Sequence, residues 1–432
     1  MSDAPYIIQR IQLDELQPGK LVGTAPEQQY YFTCWWKEIP LGHLFVSAHA
    51  HPDRLQKQIW DSIASAVLFY QTQTGILSND CESLFMQRKY EDWHLYMDRL
   101  FAGHTNPELP RQTDISVIIC TRNRSHDLQR CLLSLMQQVC APAEIIVVDN
   151  APADDSTQRV VQQFDQVIYH KEPHGGLSIA RNTGLRLARA PIIAFTDDDV
   201  QLHPMWLYHV HASFLMPHVG AMTGLVMAAQ LDTASQQLFE KQWSFNGGYR
   251  DKLFDSAYFY KSITAGTRVW EIGAGANMAF RQSALDRAGG FDERLGAGAA
   301  GCSEDSELWF RLLAKGIDIH YNPRAVVFHE HRKDLTALHK QLFSYMKGHA
   351  AAALIQQSLI KEAGYHRYLF RKVVKSYLPL LVKRFFYPLE RKQLLIQLYG
   401  IISGVFFFIR NRNKPSEATS WQSRRKDRQP AA

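Results

Sequence analysis

The apolar run Pro191-Ile192-Ile193-Ala194-Phe195 ends abruptly in Thr196-Asp197-Asp198-Asp199-Val200. A run this short and apolar reads as a buried strand, so its end delivers three consecutive carboxylates to the rim of a core. Charges placed there repel one another and lose hydration, and a cationic partner, most simply a divalent metal, is the expected relief. Taken alone, the triplet is equally a solvated acidic turn or a set of helix caps. What precedes it narrows the fold. Ile115-Ser116-Val117-Ile118-Ile119-Cys120 is a second apolar run, followed by polar Thr121 to Ser125 and then Leu128, Cys131, Leu132 and Leu135 at helical spacing. Glu144-Ile145-Ile146-Val147-Val148 ends in Asp149-Asn150, and Val167-Ile168-Tyr169 leads into a helical stretch through Ala180-Arg181-Asn182. Strands separated by helical crossovers predict an α/β domain with a mostly parallel sheet, helices on both faces, and a ligand crevice at the carboxyl ends of the strands. Asp149 and the aspartate triplet both fall at such ends.

Read together and in order, several short elements make a specific pattern. They are Val117-Ile118-Ile119-Cys120-Thr121-Arg122-Asn123, Val147-Val148-Asp149-Asn150, Ala180-Arg181-Asn182-Thr183-Gly184, Phe195-Thr196-Asp197-Asp198-Asp199, Gly273-Ala274-Gly275-Ala276-Asn277, Gly289-Gly290-Phe291-Asp292 and Ser303-Glu304-Asp305. On these motifs, residues 113 to about 335, roughly half the chain, resemble a family-two glycosyltransferase with the Rossmann-like, nucleotide-sugar-binding GT-A fold.

The resemblance implies roles for particular residues. Asp149 accepts a hydrogen bond from the donor's base, and Thr121, Arg122 and Asn123 supply backbone and side-chain contacts to the nucleotide. Arg181 offers a donor fork near phosphate or ribose, although a surface helix cation is the plain alternative. Asp197 and Asp199 are the outer members of a DxD motif, Asp199 as metal ligand and Asp197 facing ribose or metal, with Asp198 beside the nucleotide-sugar. Gly275 and Asn277 lie against the donor sugar and diphosphate. A hard Mg or Mn ion takes oxygen ligands of this kind together with substrate phosphates. In the Glu304-Asp305 pair, acids in a first helical turn behind Ser303 as N-cap are ordinary, but the resemblance makes Asp305 the general base of an inverting transfer, with Glu304 orienting the acceptor. His329-Glu330-His331 closes an apolar strand, and some relatives place a metal-ligating histidine there; His331 is taken over His329, with a purely structural histidine as the alternative.

Length and charge organise the remainder. At 432 residues the chain exceeds one ordinary core. Residues 361 to 432 hold 16 Lys/Arg against 4 Asp/Glu, leaving 32 against 38 in the rest of a chain with 48 and 42 in all. The base is therefore in the tail, and no nucleic-acid partner is indicated. Six cysteines without a C-x-x-C pair read as free thiols, and the amino terminus lacks signal-peptide features, so a cytoplasmic chain is expected.

The expected units are an N-terminal α+β accessory region at 1–105, a linker at 106–113, the catalytic domain at 114–335, a basic helical region at 336–414 and a disordered tail at 415–432. The first should hold a strand at Tyr30 to Trp36, a turn at Ile39-Pro40-Leu41-Gly42, and helices from Pro52 to Tyr70 and from Glu82 to Leu100. Near the carboxyl end, Leu394 to Ile409 is a 16-residue apolar stretch between cations, preceded by Phe385, Phe386 and Tyr387. It falls short of the roughly 20 residues that span a bilayer, so an interfacial helix, peripheral on the inner face of a membrane, is expected, with a core helix as the alternative.

The expected function is transfer of a sugar from a nucleotide-diphosphate-sugar, UDP- or dTDP-linked, to a hydroxyl of a glycan or lipid-linked acceptor in polysaccharide or glycolipid synthesis. A sugar-phosphate nucleotidyltransferase is a rival, but the loop after the first strand has no glycine to cradle a triphosphate. A non-catalytic carbohydrate-binding scaffold is disfavoured by intact Asp197, Asp199 and Asp305. Gly296 to Gly301 matches G-x-G-x-x-G without a preceding strand, and reads as a loop before the catalytic pair.

Overall fold

The computed structural model describes residues 4–18, 25, 27–48, 52–77, 80–105, 107–383, 388–414 and 418. Twelve strands are present among them: β1 Tyr6–Gln12, β2 Gln29–Trp36, β3 Ile39–Val46, β4 Ile115–Thr121, β5 Glu144–Asn150, β6 Val167–Glu172, β7 Ile192–Asp197, β8 Val200–Leu202, β9 Val219–Ala228, β10 Lys252–Phe254, β11 Asn277–Arg281 and β12 Asp318–His329. β1 to β3 form a small sheet, and the other nine form the central one in the order β10-β12-β9-β11-β7-β4-β5-β6, with β8 paired to β12. The expected α/β domain is present, and its sheet divides in two. β7, β4, β5 and β6 are parallel, whereas β11 runs antiparallel to both of its neighbours. Only the first half carries the strand and helix alternation from which a parallel sheet was read.

The alternation of side chains along each central strand explains the layering. Ile118, Cys120, Ile146, Val148, Ile193 and Phe195 pack into one core. Their neighbours Val117, Ile119, Ile145, Val147 and Ala194 pack into the other, where the helix Ser125–Met136 presents Leu128, Cys131, Leu132 and Leu135. On the first face, the helix Leu177–Leu187 lies so close to β4 that a Cβ on Gly184 would stand 2.5 Å from Ile118 Cγ2. This close approach seats Arg181, three residues earlier, directly over the carboxyl end of β7.

The N-terminal unit has its own core around Trp36, Phe85, Trp93 and Phe101. The predicted turn at residues 39 to 42 is instead the start of β3. The chain reverses at Lys37, which takes the left-handed conformation at φ +50°, and Pro40 is accommodated where the register slips after Cys34. The predicted second helix is two, Cys81–Met86 and Tyr90–Phe101, broken at Arg88 with φ +59°. A strand unforeseen from sequence, β1, pairs in parallel with β2 and bridges Tyr6 to Leu231 of the central unit. Beyond the sheet, the long helix Leu335–Leu359 is followed by Pro388–Asn411, which packs along it. Arg384 to Tyr387, the linker's Asn106 and the tail apart from Ala418 lie outside the described residues.

Candidate active site

A cleft of about 1260 Å³ opens along the carboxyl ends of β4 and β7, with Asn150 of β5 at its edge and walls from later segments. Strand register lines up its floor, because Thr121 sits opposite Asp149 and Cys120 opposite Asp197. The three aspartates take three different environments. Asp198 points inward, accepting from Thr121 Oγ1 at 2.7 Å and from Arg124 at 2.6 Å. Burial drives its carboxyl upward against the pull of Arg124. Asp199 accepts from the same guanidinium at 2.6 Å and stands 3.5 Å from His329 Nε2. Burial pushes Asp199 up as well, but neighbouring positive charge outweighs it and the carboxyl lies below its usual range. Asp197 keeps a third of its side chain exposed to the cleft.

Arg181 is the node of the site. It is 2% exposed, and it donates to Glu304 Oε1 at 2.5 Å, to Asp197 Oδ1 at 3.2 Å and to the carbonyl of Gly275 at 3.4 Å. Asp305, on the cleft side of the helix Glu304–Ala314, accepts from the Gly275 amide at 2.9 Å and from the Ser306 amide at 2.6 Å. Burial raises both Glu304 and Asp305, with Arg181 opposing it in each case. Glu304 Oε2 is buried without a hydrogen-bond partner. Ser303 does not cap this helix as expected: its backbone is left-handed, φ +69°, and its hydroxyl lies 3.1 Å from Cys302 Sγ.

At the carboxyl end of β5, Asp149 is fully buried, with Oδ2 accepting from Tyr169 at 2.9 Å and Oδ1 unpartnered. Burial raises its pKa, against the hydrogen bond from Tyr169. An acceptor left free at the end of a strand fits a base N–H. Asn150 bonds the carbonyl of His174 and the amide of Gly176, fixing the glycine turn ahead of the Arg181 helix. Arg122 is exposed on the cleft, whereas Asn123 accepts from the Ala153 amide at 2.9 Å and so braces the loop.

Two expected contacts are redirected. Asn277 does not face the cleft: its amide donates to the carbonyls of Leu225 and Ala325 in the sheet and accepts from Trp206 of the helix Trp206–Ser213 packed against it. A fully buried amide with four hydrogen-bonding positions is held where strands supply the partners. His331 also turns inward, 2.9 Å from Glu240, while His329 is the ring that lines the cleft. The chain leaves β12 after His329, so the two rings do not share the strand's alternation.

Among the described residues, no group of three or more His, Cys, Asp or Glu side chains could by itself hold a metal. Asp199 and His329, 3.5 Å apart, offer one hard oxygen donor and one imidazole, with Asp197 lining the same cleft, and Mg or Mn would fit there with phosphate oxygens and water completing its shell. Residues missed from sequence are Arg124 and Arg332, whose guanidinium lies 3.7 Å from Asp199. Also missed was an aromatic wall from Trp270, Tyr368 and Tyr377. Arg124 lies one residue past the Thr121-Arg122-Asn123 loop, and local sequence does not set the direction of its side chain.

Residues 116–287 match the family described as Glycosyl transferase family 2. The pre-mycofactocin glycosyltransferase of Mycobacterium tuberculosis is 28% identical over 246 residues, covering 56% of this chain and 48% of that protein. Glycosyltransferase AglE of Haloferax volcanii is 33% identical over 101 residues, 22% of this chain and 33% of its own. The chain thus spans about half the length of the mycobacterial relative and less of the archaeal one. Among solved structures, the mannosyltransferase PcManGT from Pyrobaculum calidifontis, in complex with GDP-Man and Mn2+, is 17% identical with a TM-score of 0.44, covering 74% of this chain and 95% of that one. The matched segment carries Asp149, Arg181 and the three aspartates, and it is in this segment that the chain is similar to glycosyl transferase family 2.

Proposed function

We propose that the chain is an inverting glycosyltransferase that moves a sugar from a nucleotide-diphosphate-sugar, UDP- or dTDP-linked, to a hydroxyl of a glycan or lipid-linked acceptor. The observation that carries this reading is the Arg181 node. One buried guanidinium joins Asp197, 16 residues after Arg181 in sequence, to Glu304, 123 residues after it and beside Asp305. A charge so placed holds the donor end and the base end in one geometry.

In this reading, Asp149 and the loop from Thr121 to Asn123 bind the nucleotide, and Arg181 and Gly275 face the diphosphate and sugar. A Mg or Mn ion held by Asp197, Asp199 and His329 would neutralise charge on the departing diphosphate. Asp305 accepts the proton of the acceptor hydroxyl as its oxygen attacks the anomeric carbon from the face opposite the diphosphate, which inverts that centre. Trp270, Tyr368 and Tyr377 offer ring faces to an acceptor sugar. Calorimetric titration with UDP and dTDP should show binding in Mn2+ that is lost in excess chelator and in Asp199→Ala. Unchanged affinity in chelator would count against the metal.

The helix Pro388–Asn411 supports the lipid-linked option. It runs well beyond the expected 16 apolar residues, because the helix continues through Arg391 and Lys392. Residues 391–411 are long and apolar enough to cross a membrane by length and composition. One face is committed to protein, since Gly400 and Gly404 press against the backbone of Phe343 and Lys347. The opposite face exposes Leu395, Tyr399, Ile402, Phe406 and Ile409, each more than half exposed, at helical spacing. Arg391, Lys392, Arg410, Arg412 and Lys414 flank it. An amphipathic helix of this kind lies in the interface of an anionic membrane, on the cytoplasmic face, where each cation contributes about 1 kcal/mol. The helix it packs against lines the cleft through Ser344 and His349, so a lipid-linked acceptor has a short path to Asp305. The six cysteines are free thiols, in keeping with a reducing compartment. The chain should pellet with anionic vesicles at low salt, and Tyr399→Ser with Phe406→Ser should weaken this at least tenfold, since each buried apolar side chain contributes about 2 kcal/mol. Equal pelleting of wild type and variant would remove the stripe from the account.

A further inference from the structure

A buried chain of hydrogen bonds leads from the N-terminal sheet to His329, whose ring stands beside the aspartate triplet. Tyr31 of β2 donates its hydroxyl to Glu240 Oε1 at 3.2 Å, and Ser244 donates to the same oxygen at 3.1 Å. Glu240 Oε2 is 2.9 Å from His331 Nε2. The two histidines meet through their Nδ1 atoms at 3.0 Å, and His329 Nε2 lies 3.5 Å from Asp199 Oδ1. Tyr31, Glu240, His329 and His331 are all buried, with Tyr31 fully so. Glu240 sits on the helix Ala234–Trp243, which is pinned to the N-terminal strand by Gln237 bonding the Ala4 carbonyl and Lys241 bonding Tyr6.

With both imidazoles neutral and Glu240 ionised, donor and acceptor counting places the protons along this chain. An ionised carboxylate only accepts, so His331 Nε2 carries hydrogen and its Nδ1 is a lone pair. The contact between Nδ1 atoms then requires hydrogen on His329 Nδ1. His329 Nε2 is left as a lone pair aimed at a carboxylate oxygen, two acceptors face to face, an arrangement that a cation between them satisfies. Hydrogen bonds of this outer kind orient an imidazole and set its tautomer at metal sites.

We propose that Glu240, held by Tyr31 of the N-terminal sheet, is a positioning residue that presents His329 to a divalent cation in its metal-binding tautomer. The N-terminal unit thereby becomes the outer wall of the cation site. This rests on the metal-assisted reading above, and two measurements separate the two ideas. Long-range ¹H–¹⁵N spectra of metal-free protein labelled in histidine, assigned with His329→Ala and His331→Ala, should show His329 protonated at Nδ1 and bare at Nε2. A proton on Nε2 in the wild type would overturn the proposal whether or not any variant folds. Mn²⁺ affinity, read by electron paramagnetic resonance with UDP present, should fall about 10- to 100-fold in Glu240→Gln, as for other outer partners of metal-bound histidine. Tyr31→Phe, which leaves Ser244 on the same oxygen, should lose less. Wild-type affinity in Glu240→Gln whose metal-free melting temperature is unchanged would overturn the relay while leaving the metal site standing. A wild type that takes up no Mn²⁺ would defeat the metal-assisted reading, and the tautomer spectrum would still decide the relay.

Discussion

Replacing Asp305 with asparagine should lower turnover by about two to four orders of magnitude, the usual contribution of a positioned general base, while donor affinity changes only a few-fold. The carboxylate is tied by the amides of Gly275 and Ser306, so its orientation is set before any acceptor arrives. Asparagine keeps an oxygen for one of these amides and turns a nitrogen toward the other, at a local cost of about 1–3 kcal/mol. A melting curve therefore accompanies the kinetics. The pH profile supplies a second check. Burial raises Asp305, and Glu304 beside it rises for the same reason. A base must be ionised to accept, so activity should be lost as pH falls through an apparent pKa above the ordinary carboxylate range, and that value belongs to the pair. Near-normal turnover in Asp305→Asn would remove this residue from the mechanism.

Arg181→Met should cost about 3–5 kcal/mol of stability, because it strands buried carboxylates without their counter-charge. Glu304 is the main sufferer: its side chain is 7% exposed, and Arg181 at 2.5 Å is its ion-pair partner. Lysine is a poor substitute, since one compact ammonium does not reproduce the spread of the guanidinium, whose Nη1 serves Glu304 while Nη2 serves Asp197 and the Gly275 carbonyl. The double variant Arg181→Met with Glu304→Gln should recover part of the lost stability, because a neutral amide needs no cation, and should recover no activity. Urea midpoints converted to free energy test this. A loss under about 1 kcal/mol for Arg181→Met would mean that water, not Arg181, solvates Glu304.

How far the sequence could be read depended on whether a residue's role follows from its own segment. β4, β5 and β7 are short apolar runs with polar ends, and their carboxyl-end residues Thr121, Asp149 and Asp197 stand side by side in the sheet as expected. Arg181 and Gly275 were named from their motifs, and both line the cleft. Asn277 belongs to an equally recognisable motif, yet its amide is consumed by carbonyls of β9 and β12, strands that only tertiary pairing brings beside it. The choice between His329 and His331 turned on Glu240, ninety-one residues before His331 and on another element. Arg124 was overlooked because local sequence says nothing about which way a long side chain folds back. The turn misplaced at Pro40 has a similar origin: Pro and Gly mark breaks by default, but β3 carries them on a strand whose irregular register tolerates a missing amide.

In the proposed reading, Asp149, Arg181, the aspartate triplet and Asp305 form one site for glycosyl transfer from a nucleotide-sugar. Incubation of the purified chain with a panel of UDP-, dTDP- and GDP-sugars, with and without Mn²⁺, measures it most directly through release of nucleoside diphosphate. Release should occur from a UDP- or dTDP-sugar, require the metal, be accelerated by the right acceptor and fall by about two to four orders of magnitude in Asp305→Asn. Release that is indifferent to both chelator and Asp305→Asn would contradict it.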